Sequence, residues 1–180
     1  MYKTPSFELR HADWDDERKL WLPAPWQKCN TLLKGFIQLL MIHFSQSTQT
    51  IKDIAGADYA TTIGYDEINL YADAGNLDRS LVIGTGTDAV TRTDYKLQTL
   101  VSANIAHGTT TFELLNPDAA TWHILIHRTF TNNTGAALDI TEVGLYVYTS
   151  ATHKVCIERT LYNLSIANTL SKIITYKFQI

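Results

Sequence analysis

Apolar positions in the C-terminal half of the chain alternate with polar ones in the way that is typical of β-strands. Five segments are rich in β-branched and aromatic residues and are separated by short turns: 109–116, 121–133, 138–149, 153–163 and 170–180. Proline is absent after Pro117, so none of these segments lacks an amide that a strand ladder needs. Because no helical spacing separates them, the pattern predicts a mainly β fold, an antiparallel β-sandwich of jelly-roll or immunoglobulin-like type.

The preceding stretch adds shorter strands to the same predicted domain, which spans residues 47–180. Thr, Ile and Tyr flank a turn at 55–58, so this segment predicts two short strands. The run SLVIGTG at 80–86 predicts a strand that ends in glycines. Residues 87–108 predict a loop that contains a short strand or a helical turn.

Residues 30–46 have a different spacing, in which apolar residues recur every three and four positions. Asn30 or Thr31 can cap the start of this segment. The segment predicts one amphipathic helix near the N-terminus, which either covers the core or contacts another subunit through Phe36 and Leu40. It is shorter than the roughly 20 apolar residues that span a bilayer, so a membrane is not an expected partner.

Residues 1–29 differ in composition from the rest of the chain, since they contain three of the four tryptophans and three of the four prolines. Proline fixes φ and biases the preceding residue away from helix, so LPAPW predicts extended chain. Exposed tryptophan clusters often mark contacts, and we expect an extended arm whose Trp14, Trp21 and Trp26 bind a neighbouring subunit. The alternative is that this arm packs on its own domain.

Charge, cysteine content and motif spacing bound the classes of function. The net charge is −3 without a basic stripe, so nucleic acid is not an expected partner. Cys29 and Cys156 share no spacing motif, which argues against a disulfide framework. The first twenty residues lack the apolar core of a signal peptide, so we expect synthesis in the cytoplasm.

No group of residues has the spacing of a catalytic, cofactor or metal site. The run VIGTGTDA lacks the spacing of the dinucleotide and Walker phosphate loops. His123 and His127 would be more than about 13 Å apart on one strand, so they cannot share a metal. The acidic run at 13–17 lacks the glycine and the ligand spacing of a calcium loop. We therefore expect a protein that is not an enzyme and that uses no cofactor.

The segment TFTNNTGAALDITEVGLYV, residues 129–147, predicts a strand, a turn at 133–137 and a second strand. Asn and Gly tolerate the left-handed conformations that tight turns require. If the two strands form a hairpin, Arg128 and Glu142 approach each other across the ladder. We expect these two residues to pair at the edge of the sheet and to fix its register.

Several of these segments resemble a β-sandwich unit of tailed-bacteriophage structural proteins. They are VIGTGTDAVTRTDYKLQTLV, RTFTNNTGAALDITEVGLYV, CIERTLYN and the closing strand LSKIITYKFQI. The most specific pieces are the glycine pair with Asp94 and Tyr95 downstream, the FTN-x-TG turn with EVGLY, and the ERTL strand. The resemblance covers residues 48–180 and leaves the N-terminal segment outside it.

The resemblance implies a virion location and no catalytic residues, since the unit recurs in tail-fibre, collar and head-decoration proteins. Because no repetitive shaft follows the last strand, we expect a head-decoration protein or a neck or tail accessory subunit rather than a whole fibre. Its expected partners are other virion proteins of the capsid, neck or tail and further copies of itself, for example in a trimer. The alternative is a carbohydrate- or host-surface-binding module of a tail fibre.

Overall fold

The computed structural model describes residues 6–29, 31–45, 48–61, 69–118, 121–148 and 153–179. Within these residues the fold is mainly β, with antiparallel sheets and one short helix, which confirms the predicted class. The elements in chain order are β1 (Ser6–Asp15), β2 (Leu20–Pro23), β3 (Gln27–Lys28), β4 (Thr31–Leu32), α1 (Lys34–Ser45), β5 (Gln49–Lys52), β6 (Asp58–Thr61), β7 (Ser80–Gly84), β8 (Ile105–His107), β9 (Thr111–Asp118), β10 (Thr121–Asn132), β11 (Leu138–Tyr148), β12 (Lys154–Ile166) and β13 (Ser171–Gln179).

A seven-stranded sheet places the N-terminal and C-terminal strands side by side. Its order is β2-β1-β13-β10-β8, and β3 and β9 are further partners of β1 and β10. β1 pairs with β13 from Ser6 opposite Gln179 to Asp13 opposite Lys172. The centre of this sheet therefore joins strands from opposite ends of the sequence.

A four-stranded sheet has the order β4-β12-β11-β7, and β5 and β6 form a separate two-stranded sheet around the predicted turn. The pairing of β11 with β12 changes register twice, between Ile140 and Glu142 and between Leu145 and Tyr146. Strands β5 to β7, β10, β11 and β13 lie in the segments that the sequence predicted, while β9 and β12 run past the ends of their predicted segments, to Asp118 and Ile166.

The two larger sheets share one apolar core. It contains Leu9 and Ile126 from the seven-stranded sheet and Ile83 and Val143 from the four-stranded sheet. Burial of one such side chain contributes about 1.5–3 kcal/mol. A second cluster lies on the outer face of the four-stranded sheet, the face turned away from this core, and consists of Leu33, Val82, Leu97, Tyr146 and Cys156. Because Val82 and Ile83 are adjacent and point to opposite faces, this sheet is apolar on both sides.

Helix α1 begins at Lys34, whereas the sequence predicted a helix over 30–46. Thr31 and Leu32 pair with β12 instead, and residue 30 lies outside the described residues. The Lys34 amide donates to the carbonyl of Arg92, which satisfies one of the free donors at the start of the helix. Within the described residues, no helix has the length and apolar character needed to cross a bilayer.

The N-terminal segment is extended, as predicted, but it is not a separate arm. β1 lies inside the seven-stranded sheet, with β13 on one side and β2 and β3 on the other. Leu9 is fully buried in the main core and lies opposite Tyr176. Strand pairing satisfies the amides and carbonyls that an unpaired arm would leave to water. The alternative reading, in which this segment packs on its own domain, describes β1 correctly.

The segment 129–147 is not a hairpin, because its two strands belong to different sheets. β10 pairs with β13, β8 and β9, whereas β11 pairs with β12 and β7. The side-chain Nδ2 of Asn132 donates to the carbonyl of Ala136 and to that of Ile166 on β12, both at 2.7 Å. These bonds hold the turn against the four-stranded sheet, so the chain crosses from one sheet to the other. The predicted turn position is correct and the predicted pairing is wrong.

Candidate functional site

Glu142 is the centre of a buried hydrogen-bond network on the outer face of the four-stranded sheet. Its side chain is fully buried, and its carboxylate accepts backbone N–H bonds from Gly86 (3.0 Å), Gln98 (3.1 Å) and Thr99 (2.8 Å). Arg159 donates a further bond through Nε at 2.6 Å. One carboxylate thereby attaches the segment that follows β7 to strands β11 and β12.

Arg159 extends this network to the loop that follows β7. Its Nη1 lies 2.7 Å from Oδ2 of Asp94, and its Nη2 donates to the carbonyl of Asp88 at 3.1 Å. Burial opposes the ionisation of Asp94, but hydrogen bonds from Thr91 and Arg159 outweigh this effect and lower the pKa of Asp94. We call Glu142, Arg159 and Asp94 the ionic clamp.

The ionic clamp explains the glycine pair of the VIGTG run. A Cβ atom on Gly84 would lie 2.5 Å from Oε1 of Glu142 and 2.6 Å from the carbonyl oxygen of Thr99. A Cβ atom on Gly86 would lie 2.6 Å from the same carboxylate oxygen. All three distances are shorter than van der Waals contact. Glycine is therefore needed at these positions so that the backbone can approach a carboxylate of the chain itself.

Arg128 forms a second buried polar network. Its side chain is almost completely buried, and its guanidinium donates to the backbone carbonyls of Gly108 (2.9 Å), Leu81 (2.8 Å), Arg79 (3.3 Å) and Asn76. Burial lowers the pKa of Arg128 to about 10, so the group remains a cation at neutral pH. Through these hydrogen bonds, Arg128 holds the turn before β7 and the residues after β8 against strand β10.

The predicted pair of Arg128 and Glu142 is wrong. Because β10 and β11 lie in different sheets, the two residues do not face each other across a ladder. Glu142 pairs with Arg159, and Arg128 binds backbone carbonyls. The sequence held a signal for the true partners, since Asp94 and the ERTL strand that contains Arg159 were among the most specific pieces of the resemblance. Only the pairing of the strands brings them together.

The β1–β2 hairpin extends past the end of β13, because β13 pairs with β1 only as far as Asp13. Trp14 lies opposite Trp21, and the two rings meet edge to face with centroids 5.4 Å apart. Trp14 is 43% exposed, and Leu20 and Leu22 are exposed to a similar degree. We call Trp14, Trp21, Leu20 and Leu22 the hairpin surface. Trp14 and Trp21 share one face of the hairpin, and Leu20 and Leu22 lie on the opposite face, so both faces carry apolar side chains that another molecule can reach.

The other predicted contact residues have roles inside the fold. The ring of Trp26 contacts two cations, with the Arg10 guanidinium 4.2 Å and the Lys177 ammonium 4.3 Å from the ring centroid. Phe36 packs against the main core, and Leu40 is half-buried on α1. Of the five residues predicted as subunit contacts, only Trp14 and Trp21 belong to the hairpin surface.

Sequence reasoning missed further exposed apolar residues. Ile37 and Met41 lie one turn apart on α1, and Phe112 and Leu114 lie on the edge strand β9. Leu114 is 64% exposed. The signal for these residues was their spacing, four on the helix and two on the strand, which places each pair on one face.

Glu113, His127 and Thr175 form a series of carboxylate, imidazole and hydroxyl on the seven-stranded sheet. Nδ1 of His127 lies 2.9 Å from Oγ1 of Thr175, and Nε2 lies 3.6 Å from Glu113. Thr175 is 4% exposed within β13, so a substrate carbonyl has no approach to its hydroxyl. Among the residues that the structure describes, no group of three or more His, Cys, Asp or Glu side chains is placed to hold a metal ion.

Comparisons of the chain with protein-family models, with curated proteins and with solved structures found no match. The groups of the ionic clamp bind one another, and Glu142 and Arg159 are buried, which suits a structural role. The hairpin surface is accessible to another molecule. These two features are the basis for a functional proposal.

Proposed function

We propose that this chain is a non-enzymatic structural subunit of a tailed-bacteriophage virion, a head-decoration protein or a neck or tail accessory protein. It assembles there with other virion proteins and with further copies of itself. The phage resemblance supports the proposal, as does the location of its most specific residues. The glycine pair, Asp94, Glu142 of EVGLY and Arg159 of ERTL all belong to the ionic clamp or pack against it. Residues of this kind hold a fold together and leave partner choice to exposed side chains.

The finer description of the fold is part of the same proposal. We infer that the seven-stranded and four-stranded sheets stack as a sandwich, because alternate side chains of both sheets enter one core. The jelly-roll and immunoglobulin-like arrangements both remain compatible with a shared core of this kind.

The observation that carries the functional proposal is the hairpin surface. Two tryptophans and two leucines stand on a hairpin whose turn, residues 16–19, is charged and solvent-exposed. Exposed apolar side chains of this size often mark protein contacts, and tryptophan is enriched among the residues that dominate binding energy. Removal of one such residue costs 2 kcal/mol or more of binding in typical interfaces, about a thirtyfold change in affinity.

The test compares two variants that lose exposed apolar side chains at different places. The hairpin variant carries Trp14→Ser, Leu20→Ser and Leu22→Ser, and the control carries Tyr71→Ser, which removes another exposed aromatic residue. Each is supplied to particles that lack the chain, and incorporation is measured by mass spectrometry of purified particles. The hairpin variant should fold, as judged by circular dichroism, and should fail to enter particles, while the control enters them. Incorporation of the folded hairpin variant at the wild-type level would reject the hairpin surface as the contact.

A carbohydrate- or host-surface-binding module is the second candidate, and the exposed ring of Trp14 favours it. The indole Nε1 of Trp14 donates to Oδ1 of Asp16 at 2.9 Å, so an exposed aromatic face stands beside a carboxylate. Sugar rings stack on such faces while their hydroxyls bind neighbouring polar groups. Binding to an array of bacterial surface glycans decides between the candidates. A saturable signal that Trp14→Ser abolishes, with unchanged incorporation into particles, would favour the module.

A further inference from the structure

Glu158 is a carboxylic acid that lies between the two large sheets. The register places Cys156 opposite Tyr146 and Glu158 opposite Leu145, so Ile157 is the extra residue of a β-bulge. Leu145 belongs to the main core, and the bulge turns Glu158 to the same side. Glu158 is 1% exposed.

The hydrogen bonds of Glu158 are fewer than an ionised carboxylate requires. Oε1 accepts from the hydroxyl of Thr160, and Oε2 has no hydrogen-bond partner among the described residues. Glu142 makes a useful contrast, since it is equally buried but accepts three backbone amides and the Arg159 guanidinium. A buried carboxylate without such partners is strongly disfavoured relative to the neutral acid.

Among the described residues, the titratable side chains on which Glu158 acts are a tyrosine and two cysteines, none of which is a cation. Tyr176 approaches it from β13 and Cys29 from the end of the N-terminal segment, and in both cases burial and then the nearby Glu158 raise the pKa of the hydroxyl or thiol. On its own strand, the thiol of Cys156 donates to the Glu158 carbonyl at 3.2 Å. The partner on β11 is the apolar Leu145. Glu8 of β1 also lies near Cys29, and its charge is paired with the Lys177 ammonium.

We propose that Glu158 is held as a neutral acid between the sheets and that its ionisation weakens their contact, which makes the cohesion of the two sheets a pH-dependent device. The device is distinct from the hairpin surface. It acts through the main core rather than through a partner.

The direction of the effect follows from where the proton is held. Burial raises the pKa of Glu158 from 4.5 to about 8. The unfolded chain therefore releases the proton near 4.5, while the folded chain keeps it up to about 8. Below pH 4.5 Glu158 does not destabilise the folded state. The destabilisation grows between pH 4.5 and 8 and is complete above that range. Across this range the folding equilibrium constant should fall by up to about three orders of magnitude on account of this one group.

The test uses Glu158→Gln, which keeps the shape of the neutral acid and cannot ionise. Wild type and variant are unfolded in urea at about pH 5 and about pH 8.5, and Glu17→Gln, at an exposed turn position, is the matched control. The ratio of the folding constants of Glu158→Gln and wild type should rise by more than about tenfold from the lower to the higher pH. The ratio for the control should stay constant. A Glu158→Gln ratio that changes by less than about threefold would overturn the proposal.

Infrared spectroscopy of the wild-type protein decides the question if the glutamine variant fails to fold. With isotope-labelled glutamate, the carbonyl stretch of a protonated glutamic acid should be present at neutral pH and should disappear at about pH 8 or above. Absence of this band from the folded protein at neutral pH would show that Glu158 is ionised and would overturn the proposal.

Discussion

Arg159 binds two carboxylates and a carbonyl, so its replacement affects strand β11 and the loop after β7 together. Removal of one partner from a buried ion pair leaves the other charge uncompensated, which typically costs about 3–5 kcal/mol. Arg159→Met should lower the free energy of unfolding by this amount, measured by urea denaturation. Lys52→Met removes the exposed pair with Asp58 and should cost less than about 1 kcal/mol. Equal losses in the two variants would contradict the structural role of the ionic clamp.

Glu142 differs from an isolated partner of Arg159 because it also holds three backbone amides. Replacement of both residues by apolar ones, Glu142→Leu with Arg159→Met, leaves the amides of Gly86, Gln98 and Thr99 without their acceptor. Each unsatisfied amide costs about 1–3 kcal/mol. The double variant should therefore be at least as unstable as Arg159→Met, whereas Glu142→Gln, which keeps an acceptor oxygen, should lose less. Recovery of stability in the apolar double variant would indicate that the carboxylate serves only the ion pair.

His107 should make the protein less stable in acid. Burial and then the charge of Arg128 lower the pKa of His107 to about 4. The unfolded chain binds a proton near 6.5 and the folded chain does not, so stability is lost as pH falls from 6.5 towards 4, by up to about 3 kcal/mol. In His107→Gln, the difference in free energy of unfolding between neutral pH and pH 4 should shrink by an amount of this order. An unchanged difference would mean that other groups cause the acid loss.

At the level of the element, residue alternation predicted where strands lie but not which strands pair. The run of β10 follows from period-two alternation, whereas β11 and β12 are buried on both faces and are indicated by their β-branched and aromatic content. Which strands pair depends on residues that are distant in sequence. The local pattern of 129–147 therefore predicts a hairpin that the fold does not contain. The bonds from Asn132 to β12 decide that case. The candidate site has the same limit. The sequence indicated Glu142 but not its pairing with Arg159, because that pairing depends on which strands are neighbours.

The place of β1 in the seven-stranded sheet leads to a direct test at this scale. Deletion of residues 1–28 removes a strand that pairs along β13 and carries the buried Leu9. The truncated chain should lose its cooperative unfolding transition and aggregate, because β13 becomes an exposed edge and the core loses one side. Circular dichroism and size-exclusion chromatography measure both effects. A soluble, β-rich truncated domain would mean that β1 is an accessory strand.

At the scale of the whole molecule, the buried residues and the exposed hairpin have separate tasks. The main core and the ionic clamp stabilise two sheets and the loop that covers one of them. The hairpin surface lies outside this arrangement and keeps apolar side chains in contact with solvent. The sequence indicated the tryptophans of this surface, but only the end of the β1–β13 pairing at Asp13 explains why they project.

The central claim, that the hairpin contacts a neighbouring subunit of a virion, is tested most directly by cross-linking mass spectrometry of intact particles. Lys19 stands in the hairpin turn with 72% of its side chain exposed, while Lys177 is buried beside Trp26 and serves as an internal reference. The proposal predicts cross-links from Lys19 to another virion subunit or to a second copy of this chain, the latter identified by mixing isotope-labelled and unlabelled protein. Absence of the chain from purified particles, or cross-links from Lys19 only to residues of its own chain, would contradict it.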